Sequence, residues 1–236
     1  MRFSFSHNIP RGDIGVAVVA AAGVAGDMAL AAGTAAELDA LLEARKGALS
    51  AAEERRRAAC RDILRNGVYK PTGRGKPASE YLLGAAREGA FPRVSALVDV
   101  NNFISLKYVL PISLWDAGRC ASAAFEFRLG REGESYVFNK AGQAIDLADL
   151  VCGCEAADGG SRPIVNPIKD SMSTKVQADT RVVIGAIYYP PQVMGPAEIG
   201  AAADDFLAAL LRGTDGSGGR ALLLPGERKE IETAGI

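Results

Sequence analysis

The spacing of apolar residues changes midway along the chain, and this change limits the folds that it can adopt. Helical spacing predominates up to Gly89, and a final helix is predicted from about Ala197 to Leu211. Between them the sequence predicts short strands rich in β-branched and aromatic residues: RVSALVDV, ISLKYVLP, SAAFEFRLG, ESYVFNK, AIDLADLVCGC and TRVVIGAIYYP. Helices followed by a block of strands indicate an α+β fold rather than a doubly wound sheet.

Capping patterns predict where the early helices begin. Thr34 and Ser50 each precede a glutamate by three residues, the spacing of a capping box. A third helix is predicted from Pro77, because proline suits the first helical position, and its apolar stripe includes Tyr81. The arginine run at 55–57 falls within the second helix, where it is either a solvated face or an RNA contact.

The longest apolar run begins at Ile14 and reads IGVAVVAAAGVAG. It has about thirteen residues, whereas a membrane-spanning helix needs roughly 20, so its valine-rich half is predicted to be a buried strand. The 236-residue chain carries a formal net charge of −1. That value argues against a general nucleic-acid coat, because non-specific binding relies on many cations. We expect neither DNA nor a membrane as a partner.

The cysteines are predicted to be reduced, structural thiols. The chain has four cysteines and one histidine, His7. Cys152 and Cys154 form a C-x-C pattern that is too close within one strand for an easy disulfide. A single histidine argues against a mixed zinc site and against the usual Ser-His or Cys-His nucleophile pair. We therefore expect no metal, no cofactor and a cytoplasmic protein.

A glycine-rich stretch, GTDGSGG, begins at Gly213. Its composition predicts a flexible linker. The expected organisation is a single domain at 1–212 and a linker with a short tail at 213–236.

The segment KPTGRGKP places the cations Lys70, Arg74 and Lys76 directly before the third predicted helix. A Walker loop requires Ser or Thr after its Gly-Lys pair, but Pro77 stands there, so a nucleoside-triphosphate loop is excluded. Free amides and the helix dipole at a helix start favour an anion. The segment is therefore either an anion contact or a solvated turn.

Two long blocks of the sequence carry a family resemblance. The first runs from GVYKPTGRGKPASEYLLGAAREG into FPRVSALVDVNNFISLKYVLPISLWDAG, and the second, residues 166–190, reads NPIKDSMSTKVQADTRVVIGAIYYP. Together they resemble the B-three/B-four family, named for the editing modules of the phenylalanyl-tRNA synthetase β subunit. The resemblance implies an α+β fold with β-sandwich-like central sheets flanked by helices. It also implies tRNA as a partner, bound through its charged 3′ end and its amino acid moiety.

The resemblance supplies candidate site residues. The catalytic candidates combine a carboxylate to orient water with groups that face phosphate or a developing oxyanion, and they are Asp170, Thr174 and Lys175. The substrate-binding candidates are Asn101, Asn102, Ser113 and Ser171. The RNA-binding candidates are Lys70, Arg74 and Lys76. Alternatively, Asp170 is a turn residue paired with a neighbouring lysine, and Asn102 caps a turn between two strands.

The resemblance implies two functions from different classes. The synthetase domain hydrolyses the ester of tRNA wrongly charged with tyrosine, so the first is a trans-acting aminoacyl-tRNA deacylase. Ser113 stands where the family motif has a histidine, and a histidine-assisted mechanism therefore does not transfer. The second function is a non-catalytic module that binds tRNA or an amino acid. Both functions require Arg74 and Asp170 to lie beside the same hollow.

Overall fold

Two β-sheets stack face to face, and helices cover the outer face of one of them. The structure is a computed structural model that describes residues 1–234. Its helices are α1 (Ala32–Arg45), α2 (Ala51–Asp62), α3 (Ala78–Arg87), α4 (Ala96–Tyr108) and α5 (Pro196–Leu211). Its strands are β1 (Arg2–His7), β2 (Gly15–Ala22), β3 (Ile112–Asp116), β4 (Ala124–Leu129), β5 (Ser135–Val137), β6 (Ala144–Asp146), β7 (Val151–Ala157), β8 (Gly160–Val165), β9 (Val182–Tyr189), β10 (Ser217–Leu223) and β11 (Arg228–Glu232).

The strand order defines a sandwich. One sheet has the order β11-β1-β4-β7-β8, the other has the order β10-β2-β9-β3, and β5 and β6 form a separate hairpin. Phe5, Phe127 and Trp115 pack in the core between the sheets. The opposite face of the second sheet packs against α1, α4 and α5. The predicted α+β fold with central β-sandwich sheets is therefore confirmed.

The central strands β2 and β9 are buried along their whole length. A strand that is covered on both faces reads as a continuous apolar run instead of an alternating one, which is why the segment after Ile14 looks so uniform. The predicted buried strand is confirmed. Within residues 1–234, no helix is long and apolar enough to cross a membrane.

Two of the predicted strands are wrong, because RVSALVDV and most of ISLKYVLP lie in or beside α4. Their β-branched residues favoured strands, but Leu97, Val100 and Ile104 recur at helical spacing and are all buried. Burial on several sides of α4 blurs the amphipathic contrast by which a helix is recognised. The helix ends at Val109, which adopts a left-handed conformation with φ 55°.

The predicted flexible linker is also wrong. Strand β10 pairs with β2 over the whole of its length, and β11 pairs with β1. Leu223 and Ile231 enter the inter-sheet core and are almost completely buried. The glycines that suggested flexibility permit close packing, since a Cβ at Gly218 would lie 2.3 Å from the carbonyl oxygen of Ala20.

The helix starts are partly as predicted. Ser50 forms the expected capping box with Glu53. Thr34 does not cap α1, which begins earlier, and its Oγ1 instead accepts a hydrogen bond from Arg212. Pro77 lies just outside α3 instead of at its first position.

The arginine run on α2 is partly engaged within the protein. Arg56 donates to the carbonyl oxygen of Tyr108 (2.8 Å) and pairs with Glu198. Arg57 pairs with Glu54 and Glu80. These contacts tie α2 to its neighbours, so two of the three guanidinium groups stabilise the fold.

All four cysteines are free thiols, as predicted. Cys60, Cys152 and Cys154 are buried, and burial raises the pKa of Cys60 and of Cys154 to about 12. These thiols are therefore protonated at neutral pH and act as apolar core groups. The part of the chain at 1–234 contains no group of three or more His, Cys, Asp or Glu side chains that could hold a metal ion.

Candidate active site

Two neighbouring chambers form a cleft between the start of α3, α4 and the loop that follows β8. The small chamber has a volume of about 180 Å³, and Asn101, Asn102 and Asp170 are among its lining residues. The large chamber has a volume of about 870 Å³, and its lining includes Arg74 and Asp170. The two chambers share part of their wall, at Ala78, Ile168, Lys169, Asp170 and Lys175. Arg74 and Asp170 thus lie beside one hollow, as both functions require.

The shared wall is a loop held by a network of side-chain hydrogen bonds. Asn166 Oδ1 accepts hydrogen bonds from the amides of Ile168 and Lys169, both at 2.8 Å. Asn166 Nδ2 donates to the hydroxyl of Tyr136, and that hydroxyl donates to the carbonyl oxygen of Lys169 at 2.7 Å. The loop therefore presents the next residue, Asp170, in a fixed orientation.

Asp170 has few hydrogen bonds to stabilise the negative charge of its carboxylate. The amide of Leu114 donates to its Oδ2 at 3.2 Å, whereas its Oδ1 is buried and has no hydrogen-bond partner within residues 1–234. Burial raises the pKa of Asp170 to about 7, although the hydrogen bond from Leu114 and the charge of Lys175 act in the opposite direction. Asp170 forms no ion pair with any residue of the described chain, so the alternative of a lysine-paired turn is wrong.

Two lysines stand beside this carboxylate and line both chambers. Lys175 Nζ donates to the carbonyl oxygen of Phe138 at 2.7 Å, which fixes the position of its ammonium group. Lys169 Nζ lies 3.9 Å from the centre of the Phe138 ring, a cation–π contact. The arrangement places two oriented positive charges near the single carboxylate of the shared wall.

The asparagines on α4 give the small chamber its polar floor. Asn101 is buried, and its Oδ1 has no hydrogen-bond partner among residues 1–234. Its Nδ2 donates to Asn102 Oδ1 at 3.4 Å. Asn101 and Asp170 therefore contribute polar side chains to a chamber whose apolar walls include Ile112 and Leu114. Such a chamber is suited to an apolar group that carries a hydrogen-bond donor, such as an ammonium or a hydroxyl.

Asn102 lies within a helix, so the interpretation as a cap between strands is wrong.

Three of the catalytic and substrate-binding candidates do not line the cleft. Ser113 is fully buried, and its Oγ donates to the carbonyl oxygen of Asn166 at 2.9 Å. Thr174 is also fully buried. Ser171 lies on the far side of the loop, where its Oγ accepts a hydrogen bond from the amide of Ser173. Ser113 and Ser171 therefore support the loop, and no hydroxyl of these three contacts the chambers.

The basic segment contributes side chains and not helix amides. The amides of Ala78 and Glu80 donate to the carbonyl oxygens of Pro167 and Pro77, at 2.9 and 3.0 Å. These bonds remove two of the free donors on which an anion site at a helix start depends. Arg74 and Lys76 are exposed, line the large chamber and form no ion pair within residues 1–234. Lys70 is exposed but does not line either chamber.

The sequence patterns did not reveal the aromatic lining of the large chamber. Tyr81 was predicted to be part of the buried stripe of α3, yet it is 68% exposed and lines the chamber. Phe138 lines the same chamber from the β5–β6 hairpin. The helical stripe could not identify Tyr81, because Leu82, Ala85 and Ala86 cover that face of α3 without it.

The raised pKa of Asp170 predicts a stability effect. Because its folded-state pKa of about 7 exceeds the ordinary value, the folded protein binds this proton more tightly, and that stabilisation is lost as pH rises through 7. Asp170→Asn should therefore stabilise the fold at pH 8, by on the order of 2 kcal/mol or about 4–8 °C in Tm. The gain should shrink towards pH 4. Thermal unfolding of both proteins across pH 4–8 checks this, and an equal difference at all pH values would contradict it.

Comparisons with known proteins show the family to which this chain belongs. A family model described as the B3/4 domain matches residues 60–215. The phenylalanine–tRNA ligase β subunit of Gloeobacter violaceus is 27% identical over 157 residues, which cover 63% of this chain and 19% of the ligase subunit. The chain thus spans about one fifth of the length of this curated relative. The predicted family resemblance is confirmed.

Proposed function

Because the chain belongs to the B3/4 domain family, we propose that it is a trans-acting aminoacyl-tRNA deacylase, which hydrolyses the ester of a mischarged tRNA. The observation that carries this proposal is the Oδ1 atom of Asp170. This atom is buried and has no partner within residues 1–234, and the residue Asp170 lines both the small chamber and the chamber with exposed cations. An ester that joins an amino acid to an RNA end needs a small chamber for the amino acid beside a cationic chamber for the RNA.

The mechanism uses Asp170 as a general base. The carboxylate accepts a proton from water, and the water oxygen attacks the ester carbonyl carbon. The resulting tetrahedral oxyanion is stabilised by the ammonium group of Lys175, whose orientation is fixed by Phe138. The bond from the carbonyl carbon to the ribose oxygen then breaks, and that oxygen takes up the proton. The products are a free amino acid and uncharged tRNA, and no covalent enzyme intermediate is required.

A pKa near 7 suits Asp170 to this role. General bases are most effective when their pKa lies close to the operating pH, because they are then both available and sufficiently basic. Burial raises the pKa of Asp170 into this range. An ordinary surface aspartate, with a pKa near 3.9, would be about a thousandfold less basic.

The amino acid moiety occupies the small chamber in this proposal. Asn101 and Asn102 contact it from α4, and their side-chain amides are the polar groups available to the α-ammonium or a side-chain hydroxyl. The apolar walls contact the rest of the side chain. A volume of about 180 Å³ is of the size needed for one amino acid side chain.

The tRNA end approaches through the large chamber, and Arg74 and Lys76 contact its phosphates. The curated relative is a tRNA ligase subunit by name, which supports tRNA as the partner. Replacing both cations by alanine should weaken tRNA binding and lower the slope of log affinity against log salt by about 1.4, since each contact to single-stranded RNA contributes about 0.7. Affinity measured at 50–300 mM salt checks this. Arg87, at the other end of α3, is the matched control, and an unchanged slope in the double variant would contradict the assignment.

A non-catalytic module that binds tRNA or an amino acid is the second candidate. The observation in its favour is that Ser113, at the family's histidine position, is buried and hydrogen-bonded to the loop. The chain's single histidine, His7 at the end of β1, is buried and hydrogen-bonds to the carbonyl oxygen of Ile14, so it cannot replace the family histidine. This candidate predicts tight binding of charged tRNA without ester loss.

A panel of mischarged tRNAs separates the two candidates. The protein is incubated with each aminoacyl-tRNA, and ester loss is followed against buffer alone. Acceleration for at least one pair supports the deacylase, and the responsive amino acid identifies the substrate. Binding of charged tRNA with no acceleration for any pair would exclude the deacylase and support the binding module.

A further inference from the structure

The large chamber combines exposed cations with two aromatic rings. We infer that Tyr81 is a stacking platform for the unpaired terminal nucleobase of a single-stranded RNA 3′ end, with the attached phosphate held by Arg74 and Lys76. This subsite rests on the proposed tRNA function and extends it from the ester to the nucleotide that bears the ester. It assigns the large chamber to the RNA and leaves the small chamber to the amino acid.

The exposure of Tyr81 carries the argument. Tyr81 is 68% exposed, although it belongs to a helix whose neighbouring residues Leu82, Leu83 and Ala85 are all buried. A large aromatic residue left open on a chamber wall offers a ring face to a flat ligand. Stacking on aromatic rings is how proteins bind unpaired bases with little dependence on sequence.

The charges around the ring suit a nucleotide and not an uncharged aromatic molecule. Arg74, Lys76, Lys169 and Lys175 all line the chamber. Its second carboxylate, Glu80, already pairs with Arg57 and Arg61, so it presents little free negative charge. The chamber therefore favours a ligand that carries phosphate beside an aromatic ring system.

Tyr81 is a better base platform than Phe138. The ammonium group of Lys169 already lies 3.9 Å from the centre of the Phe138 ring, so one face of that ring is occupied. Phe138 thereby holds the ammonium group of Lys169 at the chamber wall, where this charge faces the proposed nucleotide. The two aromatic residues thus have different roles, with one for the base and one for the placement of charge.

The lining residues that the two chambers share set the direction of the RNA in this proposal. Arg74 and Tyr81 line only the large chamber, Asn101 lines only the small one, and Asp170 lines both. A nucleotide stacked on Tyr81 has its ribose towards Asp170 if its ester is to reach the small chamber. The terminal base therefore stacks, and the 5′ phosphate and the preceding nucleotides leave past the basic segment.

The test measures binding of fluorescein-labelled ACCA RNA to the full chain, with the same RNA lacking its terminal base as the comparison. Tyr81→Ala and Tyr81→Leu should weaken ACCA binding about 5- to 150-fold and remove the preference for the intact terminal base. Tyr81→Phe should bind like the parent, because it keeps the ring. Val94→Ala, which also shortens an exposed apolar side chain but lies outside the chamber, should bind like the parent.

The outcomes separate this inference from the proposed function, because none of these probes contains an ester. ACCA affinity that is equal in the parent and Tyr81→Ala, or no ACCA binding by the parent, would overturn the stacking subsite even if hydrolysis is observed. A loss with Tyr81→Ala that Tyr81→Phe restores would support the subsite even if no mischarged tRNA is hydrolysed. Adenosine monophosphate is the third probe. If it binds as tightly as ACCA, the chamber is a site for a free nucleotide and the assignment to an RNA end is wrong.

Discussion

Asp170→Asn should lower the rate of aminoacyl-tRNA ester hydrolysis about 10²- to 10⁴-fold, the usual contribution of a general base. The variant keeps an oxygen that can accept the hydrogen bond from Leu114, so the loop is expected to stay in place. It removes only the capacity to take a proton from water. Single-turnover hydrolysis with saturating enzyme checks this, because saturation separates the chemical step from tRNA binding.

Two controls make this result specific. Asp158→Asn changes an exposed carboxylate on the β7–β8 turn, outside the cleft, and should leave the rate unchanged. Affinity of Asp170→Asn for uncharged tRNA should stay within about twofold of the parent, since the large chamber retains its cations. A rate equal to that of the parent would show that Asp170 is not the base, and the mechanism would then be wrong.

Removal of residues 213–236 should prevent cooperative folding. The deletion takes away β10 and β11, and with them the buried side chains of Leu223 and Ile231. Loss of each such side chain costs about 2–5 kcal/mol, so the two together cost about 4–10 kcal/mol. That sum is comparable to the whole stability of a typical domain, about 5–15 kcal/mol. Urea unfolding followed by circular dichroism checks the expected loss of a cooperative transition.

Two point variants test the same contacts in case the truncated chain does not fold at all. Ile231→Ala should lower the free energy of unfolding by about 2–5 kcal/mol, and Lys229→Ala on the same strand should change it by less than about 0.5 kcal/mol. The contrast arises because Ile231 is 4% exposed, whereas Lys229 faces solvent. A truncated chain with the stability of the full chain would restore the linker interpretation.

The parts of the fold that sequence patterns predicted are those in which local preference and burial agree. The run after Ile14 and the segment around Val183 are apolar, β-branched and short, and both form central strands. In α4 the two preferences conflict. Its β-branched residues favour strands, but its packing against β3 and α5 makes a helix the stable form. The C-terminal glycines were misinterpreted for a related reason, because close strand packing and flexibility both favour glycine.

The site residues that could be predicted are those that lie within the two sequence blocks that resemble the family. Asp170, Lys175 and the two asparagines of α4 come together in the cleft from segments far apart in the chain. Ser171 and Thr174 share the motif of Asp170 but lie behind the loop, because successive residues of a tight turn point in different directions. The exposure of Tyr81 and the contact of Lys169 with Phe138 depend on tertiary structure, and no spacing in the sequence encodes them.

The pH dependence of ester hydrolysis is the most direct test of the central claim, that the half-buried carboxylate of Asp170, with its pKa raised to about 7, activates water beside the two chambers. Measured from pH 5 to 9 on a responsive mischarged tRNA, kcat/KM of the parent should rise about tenfold per pH unit below 7 and level off above it. Asp170→Asn should lack this inflection. A parent profile that is flat across this range, or an inflection that persists in Asp170→Asn, would contradict the account.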